Sequence, residues 1–188
     1  MKVTISNIAW QSENDAEMYA FLKKKKCTGI EIAPTRIFPE NPYSDLKTVA
    51  NFRDKLQSEY SLKVVSMQSI CFGRNEAIFS SEEERNSLLE YIKQSIDFAS
   101  ELDCTNLVFG SPKNRNINTN QEEIAVAYFS EIGKYAAEKN LKIEVVDLDV
   151  TSDESVKAAL TKIPTVDVLI NNAGRGFGGP IEAFSAAE

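Results

Sequence analysis

Alternating βα units, about six of them, predict an α/β fold in which parallel strands lie under covering helices. Two observations carry the prediction. Apolar periodicity switches repeatedly between strand-like and helix-like along the whole length. The 188 residues are 43% hydrophobic and 26% charged. That is ordinary globular composition, and a chain of this size buries roughly 70% of its unfolded surface.

The elements follow in order. Residues 1–9 are a β-rich run, and Met18, Phe21 and Leu22 then share a helix face. Gly29 to Ala33 forms a short strand stopped by Pro34. Leu46, Val49, Ala50 and Leu56 mark the second helix, and residues 62–67 the third strand. Gly73 to Ser80 reads as a loop. Ser81 with Glu84 has capping-box spacing for a helix lined by Leu89, Ile92, Ile96 and Ala99. Residues 106–109 make the fourth strand, 111–120 a long polar loop, and Asn120 with Glu123 a second cap. The helix that follows carries Ile124, Tyr128, Ile132 and Tyr135 on one side. Residues 141–146 are the fifth strand. Thr151 with Glu154 opens a helix bearing Val156, Ala159, Leu160 and Ile163, and 166–170 are the sixth strand. Half of the glycines lie between Gly174 and Gly179.

Composition excludes several function classes. A net charge of −7 argues against a sequence-independent grip on DNA or RNA. No apolar run approaches the ~20 residues that span a bilayer, and the N-terminus reads as a strand rather than a signal peptide; with three widely spaced cysteines a reducing cytoplasm is expected. Cys27, Cys71 and Cys104 fit neither a disulfide framework nor a zinc site; Cys71 and Cys104 read as small buried hydrophobes. There is no histidine, which removes the commonest general base and transition-metal ligand. The run Lys23 to Lys26 complements a helix dipole.

Two resemblances divide the chain. Ile5-Ser6-Asn7-Ile8-Ala9-Trp10, Gly29 to Arg36, Val65-Ser66-Met67-Gln68-Ser69 and Val108 to Arg115 resemble the sugar-phosphate isomerase/epimerase proteins of the xylose isomerase-like TIM-barrel superfamily, over residues 1–143. Asp147-Leu148-Asp149-Val150-Thr151 and Val168-Leu169-Ile170-Asn171-Asn172-Ala173-Gly174 resemble the middle of a short-chain dehydrogenase/reductase, a Rossmann protein, over residues 144–188. Together they imply a single α/β domain from two sources, with a partial TIM-barrel-like or open Rossmann-like sheet. They suggest an engineered chimera, joined at an αβ element common to both folds, with a natural fusion or a truncated fragment as the alternative.

The isomerase resemblance implies a divalent metal held by carboxylates and a histidine. The family's strand-five glutamate falls on Val146, and the later ligands are missing or replaced. Glu31 matches a strand-two glutamate and is either a ligand contact or a polar residue left at the strand mouth. Ser111, Lys113 and Arg115, with Gln68, are candidates for a sugar hydroxyl or phosphate, unless that loop is simply solvated. Trp10 either faces sugar or fills the core. The reductase resemblance places Asp149, Asn171 and Gly174 beside a cofactor, but no Thr-Gly-x-x-x-Gly-x-Gly turn is present to hold its pyrophosphate. The expectation is no catalytic residue, no metal and no cofactor, NAD included. Open sheet edges are expected to drive self-association. The alternative is a residual metal-dependent sugar-phosphate isomerase/epimerase or a sugar-phosphate binder.

Overall fold

The computed structural model describes residues 4–109, 111–115, 121–141 and 152–162. The chain divides into two compact units, Met1–Glu144 and Val145–Glu188. In the first, β1 (Thr4–Ser6), β2 (Gly29–Ile32) and β3 (Lys63–Met67) form a parallel sheet in the order β1-β2-β3. Leu107 bridges to Met67 in parallel on the far side of β3. Sequential neighbours are therefore spatial neighbours, as in a barrel. The order is built from helical crossovers α1 (Asp15–Lys24), the short α2 (Pro34–Ile37) with α3 (Leu46–Lys55), and α4 (Glu82–Glu101). A turn α5 (Pro112–Arg115) and α6 (Glu122–Glu138) complete this unit. Of the second unit, α7 (Asp153–Lys162) is described.

Two helix starts, those of α3 and α4, have a side-chain cap. The Asp45 carboxylate accepts from the Lys47 and Thr48 amides (3.1 and 3.2 Å) and caps α3. Ser81 Oγ accepts from the Glu84 amide (3.2 Å) at the start of α4, while Glu82 and Glu83 complement the dipole. After α3 the helix widens into a π turn, Leu56–Tyr60, and ends at Ser61 in the left-handed region (φ 55°). Beneath α4, Leu88, Leu89, Ile92, Ile96 and Phe98 are buried. Phe98 meets Phe38 and Tyr43 edge-on, with centroids 5.8 and 5.3 Å apart.

Several expectations are corrected. The first strand stops at Ser6, and Asn7–Ala9 is a 3-10 turn, because Asn7 Oδ1 accepts from the Ala33 amide (2.9 Å) and competes with strand continuation. In α1, Tyr19 and Leu22 are the buried pair and Phe21 is exposed, with Lys25 over its ring at 5.4 Å. Trp10 and Tyr60 both meet Tyr19 edge-on, which fixes that phase. The fourth strand is reduced to the bridge at Leu107, although Met67 N–H donates to Asn106 O (2.9 Å) and Val108 N–H to Met67 O (2.8 Å). The 111–120 loop contains α5. Gln121, not Asn120, holds the cap position of α6, and Ser152 precedes α7. Asn120, Thr151 and the fifth and sixth strands lie outside the described residues, apart from the buried Leu141.

Candidate functional site

The C-terminal ends of the three strands carry a row of polar side chains. The register pairs Ser6 with Glu31 and Glu31 with Ser66, so all three lie on one face of the sheet. Ile30 and Ile32, on the opposite face of β2, are fully buried in the apolar core. Ser66 reaches the row through a register shift: Ile30 pairs with Val64 but Glu31 with Ser66, leaving Val65 as an extra residue. Gly29 makes the bulge possible, since a Cβ there would lie 2.6 Å from Val65 Cγ1.

Glu31 is 3% exposed, the one buried carboxylate among the described residues, and its Oε2 has no hydrogen-bond partner. Asn7 Nδ2 is also buried without a partner. Around them Gln68 Nε2 donates to Ser6 Oγ (2.9 Å), Asn106 Nδ2 donates to Ser66 Oγ (2.9 Å), and the Gln68 amide donates to Ile32 O (2.9 Å). Burial, reinforced by the charge of Glu31, pushes the nearby Cys104 thiol up to about 12. Glu31 Oε2 is thus an unmatched buried acceptor and Asn7 Nδ2 an unmatched buried donor.

The 111–115 segment is tied down rather than open. Asn114 is fully buried, and its Nδ2 donates to Glu76 O (2.6 Å) and Arg74 O (3.3 Å). The exposed Lys113 Nζ donates to Asn75 Oδ1 (3.0 Å). Ser111 is half-buried. The Arg115 side chain, and Val146, Asp149, Asn171 and Gly174, lie outside the described residues. Trp10 is half-buried and packs against the core, and its Nε1–H donates to Asp15 Oδ1 (2.7 Å).

Loops after all three strands line a groove of about 710 Å³. Ile8, Ala33, Arg36, Ser69, Phe72 and Arg74 are among its walls. Arg36 is held by both Asp15 oxygens (2.7 and 3.1 Å), and Arg74 pairs with Glu76. Sequence reasoning singled out Glu31 and Gln68 but missed Ser6, Asn7, Ser66 and Asn106. Their signal was present as polar residues interrupting apolar strand ends. The groove had no signal, since its walls come from three separate loops.

No cluster of three or more His, Cys, Asp or Glu occurs among the described residues, and the chain has no histidine. Glu31 by itself leaves a hard cation short of the oxygen ligands it requires.

Comparison with known proteins gives two kinds of match. No family model matches. The 3-keto-D-glucoside 4-epimerase of E. coli superposes with a TM-score of 0.53 at 17% identity, over 86% of this chain and 64% of that one. A sugar phosphate isomerase/epimerase of Anabaena variabilis gives 0.52 at 20% identity, over 85% and 60%. The IOLI protein, solved with a bound zinc atom, gives 0.57 at 16% identity, over 88% and 60%. The likeness is one of fold: parallel strands in a partial barrel-like arrangement. By sequence, a 46-residue stretch is 54% identical to human retinol dehydrogenase 8, covering 24% of this chain and 15% of that protein. The bovine protein matches at 53% over 47 residues, also 15% of its length. The chain therefore spans less than two thirds of each of these proteins.

Proposed function

We propose that the unit Met1–Glu144 binds a neutral sugar at the C-terminal ends of its parallel strands, by hydrogen bonding. The observation that carries this reading is the pair of unmatched buried groups, Glu31 Oε2 and Asn7 Nδ2, on a barrel fold similar to sugar epimerases. A carboxylate that accepts and an amide that donates suit hydroxyls, which do both. A phosphate is disfavoured, because Arg36 and Arg74 are each already paired with a carboxylate and Lys113 is bonded to Asn75. Turnover is disfavoured as well. Proton abstraction beside a carbonyl needs a base together with a group that stabilises the developing oxyanion, and no cation sits beside Glu31 among its described neighbours in the row.

The test is calorimetric titration with free ketoses and aldoses and with their phosphates. Free sugars should bind in the millimolar range, and Glu31→Gln should weaken them about tenfold or more, the scale of a hydrogen bond to a charged group. No heat with any free sugar up to about 10 mM, a limit near 3 kcal/mol of binding, would refute the reading.

A second reading is supported by the 54% match to a dehydrogenase. In it the chain is an engineered chimera of a TIM-barrel part and a Rossmann part, a scaffold with no intact active site. It predicts neither sugar binding nor NAD binding, so the same titration, extended to NAD, separates the two.

A further inference from the structure

One end of the parallel sheet concentrates positive charge. Lys23, Lys24, Lys25 and Lys26 are consecutive and exposed, and none takes part in an ion pair among the described residues. Lys63, the register partner of Gly29 and also exposed, adds a cation at the same N-terminal end of the strands. The run is held in place. Lys23 Nζ donates to Glu59 O in the π turn (2.8 Å), and Lys25 lies 5.4 Å over the Phe21 ring. The Lys26 amide donates to Lys23 O and the Cys27 amide to Leu22 O, both at 3.0 Å. These are the two bonds of a Schellman ending, and Lys26 fills its left-handed position (φ 59°), where glycine is usual. The dipole of α1 accounts for Lys23 and Lys24 in its last turn. It does not account for Lys25 and Lys26, which lie past the helix, nor for a lysine held against backbone preference.

The opposite charge stands at the other end of the same unit. The helix α4 begins Glu82-Glu83-Glu84, all exposed and outside every ion pair among the described residues. At the end of α3, close before β3, Arg53 Nη1 donates to Glu101 O at the end of α4 (2.7 Å). The last turn of α4 is therefore at the lysine end of the sheet. Its 20 residues carry the glutamates about 30 Å along the helix to the opposite end.

We propose that the lysine end of one copy docks on the Glu82–Glu84 end of a second copy, head to tail. Charge selects this partner and this orientation. Like ends repel, and the net charge of −7 opposes approaches that do not bring lysine to glutamate. A single surface ion pair is weak, so the contact draws on several at once. The two surfaces differ, so the contact is heterologous: a docked pair still offers one open lysine end and one open glutamate end, and growth does not stop at a dimer.

Sedimentation of the full chain tests this. At about 50 mM NaCl the mean mass should rise with concentration, and by about 500 mM the association constant should fall about tenfold or more as screening shortens. Two variants alter exposed positions and keep both the Lys23 bond and the Ser81 cap: Lys24→Gln/Lys25→Gln/Lys26→Gln and Glu82→Gln/Glu83→Gln/Glu84→Gln. Each alone should stay monomeric, with an unchanged circular dichroism spectrum. Mixed in equal amounts, they retain one lysine end and one glutamate end between them, so they should form a one-to-one dimer and nothing larger. A monomer at every concentration in low salt overturns the proposal. So does association that is insensitive to salt or survives in either variant alone, which is the behaviour of pairing at sheet edges. A mixture that stays monomeric overturns it as well.

Discussion

Replacing Gly29 with alanine tests the packing that assembles the polar row. The new Cβ would sit 2.6 Å from Val65 Cγ1 and 3.3 Å from the Lys63 carbonyl. Gly29 has no positive φ, so alanine is conformationally acceptable and should gain about 0.5–1 kcal/mol from reduced unfolded-state entropy. Overpacking opposes this by about 1–3 kcal/mol. The net expectation is a loss of up to about 2.5 kcal/mol, the balance of these two ranges. Val65 is the extra residue of the bulge, so the strain should be relieved in a Val65→Ala background, where Gly29→Ala becomes nearly neutral. Urea denaturation followed by Trp10, the chain's one tryptophan, measures all four corners of the cycle. An unchanged cost of Gly29→Ala in the Val65→Ala background would show that the bulge contact is not what excludes a side chain here.

Two further outcomes follow from the electrostatics. Hydrogen bonds from the Thr48 hydroxyl and amide hold the Asp45 carboxyl below the usual carboxylate range. Its contribution to stability is therefore complete above the ordinary pKa of about 4 and fades as pH falls through the lowered value. Asp45→Asn should flatten the acid limb of the urea midpoint against pH, and an unchanged limb would discount the cap. Burial pushes both the Cys71 and Cys104 thiols up to about 12, while Cys27 is half-buried. A disulfide reagent at pH 8 should label Cys27 first and the other two upon denaturation; fast labelling that survives Cys27→Ser would contradict this.

The parallel α/β order, the capping of α4 by Ser81 and the buried stripe of Leu89, Ile92, Ile96 and Ala99 were legible in the sequence, because each depends on local periodicity and side-chain chemistry. What escaped depends on contacts distant in sequence. The helix phase of α1 is set by Tyr60 and Trp10, which override the apolar Phe21. The 3-10 turn at Asn7 is set by Ala33, twenty-six residues away. At the site, Glu31 could be picked out as a carboxylate in an apolar strand. Its alignment with Ser66 could not, since the bulge at Val65 shifts the register by one residue and exchanges the two faces of β3 relative to β2. Likewise Asn114 sits in a polar stretch that reads as solvated, yet it is clamped by carbonyls of the loop at Arg74 and Glu76.

Whether Glu31 serves the fold or a ligand can be decided by stability alone. A buried acceptor with no partner lowers stability by about 1–3 kcal/mol. Glu31 Oε2 is such an acceptor, and the surrounding Ser6, Ser66, Gln68 and Asn106 are bonded to one another or to backbone. Glu31→Met nearly conserves volume and length while deleting the unmatched oxygen. If the carboxyl is kept for a ligand, this variant should be more stable by about 1–2 kcal/mol, within that range, and should lose sugar binding. If the carboxyl instead organises the row, its removal should loosen Ser6 and Ser66 and the variant should be less stable. The urea midpoint has opposite signs in the two cases, and a destabilised Glu31→Met would remove the ground for assigning this carboxylate to a ligand.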